Sequence, residues 1–556
     1  MIKYMLVEYI CRAIAPENEK ENMMDNKFLS LLYPDAKSYQ RHLDRDNLPN
    51  ISEAVCEELG LNEIFALKSA SLPDFFTGDA EVIEYRGEVI RDLTENPQLR
   101  ELLSRIYPIL NDIRELRRLD DENVGAADSY LYSITEIELY VSVLDATYKG
   151  LAELEGRFTS AAFRSLFAAV SELAESDYYA ELNKRLKALS AHVSEIKSVT
   201  VGVNLDAEMR PESAGVISVN SEKFKSGKLL DKILRLSFKN DGFMTIAPLS
   251  QLDGHGDNKR EAMNGAFFTA ISEVFRSSVR GWRDIVAAYV IENTDFLLKL
   301  LPEIEFLSRS AELVVRLTER EGVTVSYAET APTEAKCFSA TGLYNPRVAL
   351  AIDSPIVLND IDLDENAKIY VLTGPNRGGK SVITVAMGAA QAMFQLGLPV
   401  PASSARLSPV SAIFTHFPEG AEDTIDKGRL GEECARLREI FDAADGDSMI
   451  LLDESLSSTG AFEASYIASE ILAAFAAMRV RGIFSTHLHD LAAALPEINE
   501  KSRAAGGVLL DTLVAGIDEG ERSFKIYRAK PDGRSYAKDI ADKYGLSFES
   551  LIATKK

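Results

Sequence analysis

Eight residues constrain this chain more than any other feature. Gly374-Pro-Asn-Arg-Gly-Gly379-Lys380-Ser381 is a G-x-x-x-x-G-K-S string, directly after the apolar run AKIYVLT and directly before VITVAMGAAQAMF. The flanks predict a strand that turns through the glycines into a helix. Each fixed position has a chemical reason. Glycines let backbone N–H groups face inward around phosphates, and the helix N-terminus adds positive potential. Lys380 reaches the outer phosphates, and the Ser381 hydroxyl is placed to ligate Mg²⁺. Ordinary composition produces such a string in roughly one chain of this length in fifty, so the strand and helix around it carry much of the inference.

Two further strand ends extend the site. Met449-Ile-Leu-Leu452 runs into Asp453-Glu454, 72 residues after Ser381. A carboxylate at the end of a buried strand is costly without a cationic partner, and Mg²⁺ on a phosphate chain supplies one for Asp453. Glu454 can then polarise an attacking water; the plainer alternative is a solvated strand end. Ile483-Phe-Ser-Thr-His487 is the other strand. A single histidine is often structural, and His489 two residues later shows that histidine here can be incidental. The order phosphate loop, strand-Asp-Glu, strand-His nevertheless resembles ABC ATPases, in which this histidine senses the γ-phosphate.

At 556 residues the chain exceeds what one core organises, so two or three domains are expected. No apolar run approaches the length of a membrane span, and Glu8 and Arg12 interrupt the apolar N-terminus, which reads as an ordinary first helix rather than a signal peptide. Cys11, Cys56, Cys337 and Cys434 are too scattered for a zinc site or a disulfide scaffold, as expected of buried thiols in a reducing cytoplasm. Residues 1–125 read as helices with Ile83, Val89, Ile90 and Leu93 at helical spacing and a breaker at Pro97. Residues 126–330 read as long amphipathic helices, out to about 196 and back from about 261 to 321. Between them a small β insertion is expected at about 197–250. From 331 to 556 the expectation is an α/β domain with a mainly parallel sheet, with VALAIDSPIVLNDIDL among its β-rich runs and a closing hairpin-like pair around VLLDTLVAGI and SFKIYRA.

The loop with its preceding residue, Thr373-Gly-Pro-Asn-Arg-Gly-Gly-Lys-Ser381, resembles the T-G-P-N-M-G-G-K-S loop of MutS-type mismatch repair ATPases. Val357-Leu-Asn-Asp360 is similar to the segment that packs near the adenine in that family, Val400-Pro-Ala402 to its V-P-A, and Ile413-Phe-Thr415 to its I-F-T. Downstream, Asp453-Glu454 with Thr459, Ser485-Thr-His487 and Gly533-Arg-Ser-Tyr536 resemble its remaining motifs. The likeness covers about residues 340–550. More weakly, VIEYRGEVIRDL and the helical stretches resemble the MutS core and lever helices, with the β insertion in the place of the clamp.

The resemblance implies an ABC-type P-loop ATPase domain preceded by an all-α core and lever helices, acting as a homodimer with ATP and Mg²⁺. It implies ATP contacts from Thr373, Gly374, Pro375, Asn376, Arg377, Gly378, Gly379, Lys380, Ser381 and Val382, with Leu358 and Asn359 on the adenine side. Metal ligation falls to Ser381 and Asp453, and catalysis to Lys380, Glu454 and His487.

Several departures limit this. The F-x-E mismatch-reading domain has no counterpart, which implies an ATPase without mismatch preference. The C-terminal dimerisation helices and the nuclease tail of the other bacterial MutS subfamily have none either. Arg377 stands where the family has Met, facing either the phosphates or solvent. In Asp426-Lys-Gly-Arg-Leu-Gly-Glu-Glu433 the signature serine is replaced by Leu430 or Gly431, although Gly428 and Arg429 persist.

Two functions fit. The family resemblance favours the first, a DNA-associated ATPase switch that grips phosphates through Lys184, Arg185 and Lys187 and through Lys223, Lys225, Lys228 and Lys232. Each cluster also reads as a solvated helix face. The second is an ATP-driven module acting on a protein or ribonucleoprotein partner, favoured by 86 acidic against 61 basic residues and a net charge of −25, which repels polyphosphates at long range.

Overall fold

The computed structural model describes residues 28–44, 50–122, 126–194, 198–205, 211–220, 292–365, 367–375, 377–417, 429–518 and 521–530, with 289, 546 and 550–551. They fall into two compact units, one drawn from 1–101, 156–166 and 302–556, the other from 102–155 and 167–301. The expected first helix, with Cys11, lies outside the described residues. Among the described residues no helix is long and apolar enough to cross a membrane.

The first unit combines helices with two sheets. Helix α1 is Glu53–Glu58. Helix α2 is Ala80–Glu95, and it buries Val82, Ile83, Val89, Ile90 and Leu93, the predicted apolar stripe. The breaker acts twice: Asn96 caps α2, and Pro97, whose missing N–H costs nothing in a first turn, begins the next helix, α3 (Pro97–Glu122).

The second unit contains α4 (Ala126–Glu153) and α6 (Asp177–Ser194). Between them in sequence runs α5 (Ala161–Ala174). Tyr140, Val143, Leu144, Leu182 and Leu186 are buried. Arg117 is clamped between Glu136, at 2.6 Å, and Asp295. Strands β1 (Ser198–Leu205) and β2 (Pro211–Asn220) pair antiparallel, where the small β insertion is expected. The remainder of that insertion to about 250, with Lys223, Lys225, Lys228 and Lys232, lies outside the described residues, as does the helical stretch before Glu292 apart from Tyr289.

The first unit continues with α7 (Leu301–Glu319). One segment corrects the sequence expectation. VALA, expected to be β-rich, lies in a short helix, Pro346–Ala351, because the Asn345 side chain accepts the Val348 N–H at 3.1 Å and Pro346 sits in the first turn. A cap and a pre-set φ outweigh the β preference of one valine. Four strands then form a small sheet in the order β3-β7-β4-β5: β3 (Glu329–Thr330), β4 (Phe338–Leu343), β5 (Asn359–Leu363) and β7 (Ser404–Leu407).

The large sheet runs β12-β11-β6-β10-β9-β8. Its members are β6 (Ile369–Thr373), β8 (Ile413–His416), β9 (Met449–Asp453), β10 (Arg481–Ser485), β11 (Leu510–Asp518) and β12 (Glu521–Arg528). All neighbours are parallel except the β11–β12 pair. Every residue of β6, β9 and β10 is buried, as parallel strands covered on both faces require.

Helix α8 (Lys380–Gln395) follows β6. A Cβ on its Gly388 would lie 2.5 Å from Leu59 Cδ2 and 2.6 Å from Leu451 Cδ1, so any larger residue requires both leucine side chains to shift. Two buried glutamines on the same helix satisfy loop backbone. Gln391 donates to Ser408 O at 3.0 Å, and Gln395 donates to Val410 O and Thr77 O at 2.9 Å each. Helices α9 (Arg429–Ala443), α10 (Ala461–Ala477) and α11 (His489–Ala504) complete the unit.

Candidate nucleotide site

Register brings the ends of the three predicted strands to one edge. Ser485 pairs with both Leu372 and Asp453, so the carboxyl ends of β6, β9 and β10 lie side by side. Open parallel sheets bind ligands at this edge. The phosphate loop leaves β6 after the buried Thr373. Gly374 has φ 140, and a Cβ there would stand 2.7 Å from Ala515 Cβ on β11. Gly378 closes the turn by donating to Pro375 O at 3.1 Å, and Gly379, at φ 92, caps α8. Arg377 is exposed at φ 61, and Val382 is also exposed. Asn376 lies outside the described residues.

Lys380 is buried inside this turn. Its Nζ donates to Gly374 O and Pro375 O, both at 3.2 Å, with Glu454 Oε1 at 3.8 Å. Burial pushes the ammonium pKa below its ordinary value, while Glu454 and Asp453 oppose the shift. An incoming phosphate would add negative charge beside this buried amine and so favour its protonated form.

Asp453 ends β9 with 6% of its surface exposed. Burial raises its pKa, and hydrogen bonds from Ser381 and Ser485 act in the opposite direction. Its Oδ1 is buried without a hydrogen-bond partner. An orphaned buried acceptor costs roughly 1–3 kcal/mol, and a cation held between Asp453 and Ser381 removes that cost. Mg²⁺ fits this donor set, because it takes one or two protein oxygens and completes its shell with phosphate oxygens and water.

Glu454 follows at φ 46, a left-handed conformation unusual for a residue other than glycine, with its N–H donating to Ser485 O at 2.8 Å. Its side chain is about one-third exposed at 35%. His487 lies just beyond β10 and is exposed. The buried Thr486 before it donates its N–H to Leu372 O at 2.9 Å, which fixes the backbone at this edge.

The adenine-side pair divides. Asn359 is buried, and its amide is used by the protein: Oδ1 accepts the Ile526 N–H at 2.8 Å and Nδ2 donates to Phe524 O at 3.2 Å. Leu358 is half-buried, its carbonyl accepting from Lys525 Nζ. The exposed Phe524 ring lies 3.5 Å from the place a Gly379 Cβ would take.

The family model for MutS domain V matches residues 370–511, and that for the MutS2 N-terminal domain matches residues 78–320. The DNA mismatch repair protein MutS of Prochlorococcus marinus (strain MIT 9301) is 34% identical over 151 residues, covering 26% of this chain and 16% of that protein. The chain belongs to the MutS family.

Within this MutS-family chain, the loop from Tyr370 onward, Asp453, Glu454 and His487 fall inside the domain V match, whereas Leu358, Asn359 and Phe524 fall outside it. The signature residues Asp426–Gly428 and the segment Gly533–Tyr536 lie outside the described residues, and α9 begins at Arg429. Sequence reasoning missed two contacts. Thr384 Oγ1 lies 2.5 Å from Ser485 Oγ, tying α8 to β10 beneath Asp453. His416 Nδ1 lies 2.7 Å from Ser455 Oγ, beside Glu454. The signals in the sequence were a hydroxyl one helical turn after Lys380 and a histidine closing the I-F-T strand.

Proposed function

We propose that this MutS-family chain binds ATP with Mg²⁺ and hydrolyses it at the edge of its large sheet, in an ABC-type P-loop ATPase domain spanning about residues 331–556. The observation that carries the reading is the buried, unpartnered Asp453 Oδ1 next to Ser381, with Lys380 Nζ and the Glu454 carboxylate 3.8 Å apart beside it. Lys380 exchanges its two loop carbonyls for outer phosphate oxygens. Asp453 and Ser381 would hold Mg²⁺, which would draw charge from the phosphate oxygens. Glu454 orients a water and takes one of its protons as the water oxygen attacks the γ-phosphorus; the bond from γ-phosphorus to the bridging oxygen breaks, and that oxygen departs on ADP. His487, exposed just beyond β10, takes the γ-phosphate-sensing role by its resemblance to the ABC-type histidine. Preorganised charge of this kind contributes on the order of 10² in rate for a single donor.

Lys380→Ala tests the site directly. ATP turnover should fall at least ~100-fold with nucleotide binding weakened and thermal stability retained. Undiminished turnover in that variant removes Lys380 from the reaction.

The hydrolysis cycle is best read as a dimeric switch that moves the helical region. For its target the net charge of −25 supports a protein or ribonucleoprotein over bare DNA. On α6, Arg185 pairs with Glu181 at 2.7 Å and Lys184 lies 3.9 Å from the same carboxylate, so the described basic cluster is partly neutralised at home. A duplex gripped through such groups is held by its phosphates, which carry no mispair information.

A further inference from the structure

Glu454 and Leu456 both adopt left-handed backbone, at φ 46 and φ 64, and neither is glycine. Each such position is strained and persists only where its surroundings hold it. Ser455 lies between them, and both Ser455 and Leu456 are buried. The hydroxyl of Ser455 makes two contacts with one residue on the neighbouring strand end: His416 Nδ1 at 2.7 Å and the His416 carbonyl oxygen at 3.3 Å. Both are satisfied when Nδ1–H donates to Oγ and the hydroxyl donates to the carbonyl. His416 is itself fixed, because β8 pairs in parallel with β9 through His416 and Leu452 and the side chain is 4% exposed.

We infer that His416 is a positioning residue for the ATPase reaction: its two-point clasp on Ser455 holds the strained turn that aims the Glu454 carboxylate at the phosphate loop. The inference rests on the ATPase reading above. Without the clasp the turn relaxes toward ordinary backbone, and the carboxylate leaves its place 3.8 Å from Lys380 Nζ. Neither Asp453 nor Ser381 is touched, so Mg²⁺–ATP still binds. The signature is a loss in kcat with little change in KM.

The test is steady-state ATP turnover by the full chain. His416→Leu fills the space without a donor, Ser455→Ala removes one oxygen, and His416→Asn keeps an N–H near the position of Nδ1. Displacement of a reacting group by about an ångström costs up to ~100-fold, so His416→Leu and Ser455→Ala should each lose ~10- to 100-fold in kcat. Their double variant should lose no more than either alone. His416→Asn should recover most of the rate, and in a Glu454→Gln background His416→Leu should cause no further loss. Full turnover in both His416→Leu and Ser455→Ala overturns the inference, as does an equal loss on top of Glu454→Gln. Ser455→Ala keeps the test decisive if His416→Leu does not fold. An unmodified chain with no ATP turnover removes the ATPase reading and this inference together. Normal Lys380-dependent turnover with indifferent His416 variants removes only the inference.

Discussion

His416 shows how one side chain links stability to chemistry. Burial, reinforced by Arg436, pushes its pKa down from 6.5 to about 4. The unfolded chain takes up a proton at this residue as pH falls through 6.5, whereas the folded chain resists until about pH 4. Folding stability therefore declines across that window, by at most ~3 kcal/mol from this residue, and is fully present above it. Denaturant unfolding at pH 7 and pH 4.5 should show a smaller loss for His416→Asn than for the unmodified chain. Equal losses would mean that His416 is not held neutral. At this scale sequence is informative where chemistry demands a fixed pattern. Spacing alone singles out Lys380, Ser381, Asp453 and Glu454, and the fold brings them to one edge. Ser455 and Thr384 escape such a reading, because a hydroxyl gains meaning only from a partner 39 or 101 residues away.

At the scale of elements, continuous apolar runs bounded by polar residues make β6, β9 and β10 legible in the sequence. The VALA segment misleads because its fate depends on Asn345 and Pro346 rather than on its own side chains. Helix α8 is legible as a helix, but its fit is not: Gly388 reads as a weak helix former until Leu59 and Leu451 are placed against it. Gly388→Ala should lower stability by about 1–3 kcal/mol through overpacking, despite the better intrinsic propensity of alanine. A raised melting temperature in that variant would show that the two leucines move aside freely.

For the whole molecule, net charge and motif content point in different directions, and binding measurements separate them. If bare DNA is a target, affinity should collapse between low and moderate salt, because each released counterion contributes to the slope. Matched and G·T-containing duplexes should then bind within about tenfold, or roughly 1.4 kcal/mol, of each other. A larger preference would show mispair recognition that lysine and arginine contacts to phosphate do not supply. The helical regions are legible as helices from their composition. Their assembly is not, since long amphipathic stretches specify a buried face without naming the surface that covers it.

The most direct test of the central claim is phosphate release from Mg²⁺–ATP by the unmodified chain and by Glu454→Gln, measured side by side with ATP binding. Loss of a positioned general base costs about 10²- to 10⁴-fold. The predicted result is steady turnover by the unmodified chain and at least ~100-fold slower turnover by Glu454→Gln, with ATP still bound because Asp453, Ser381 and Lys380 are intact. Equal turnover by the two proteins would contradict the assignment of Glu454 and the site built around it.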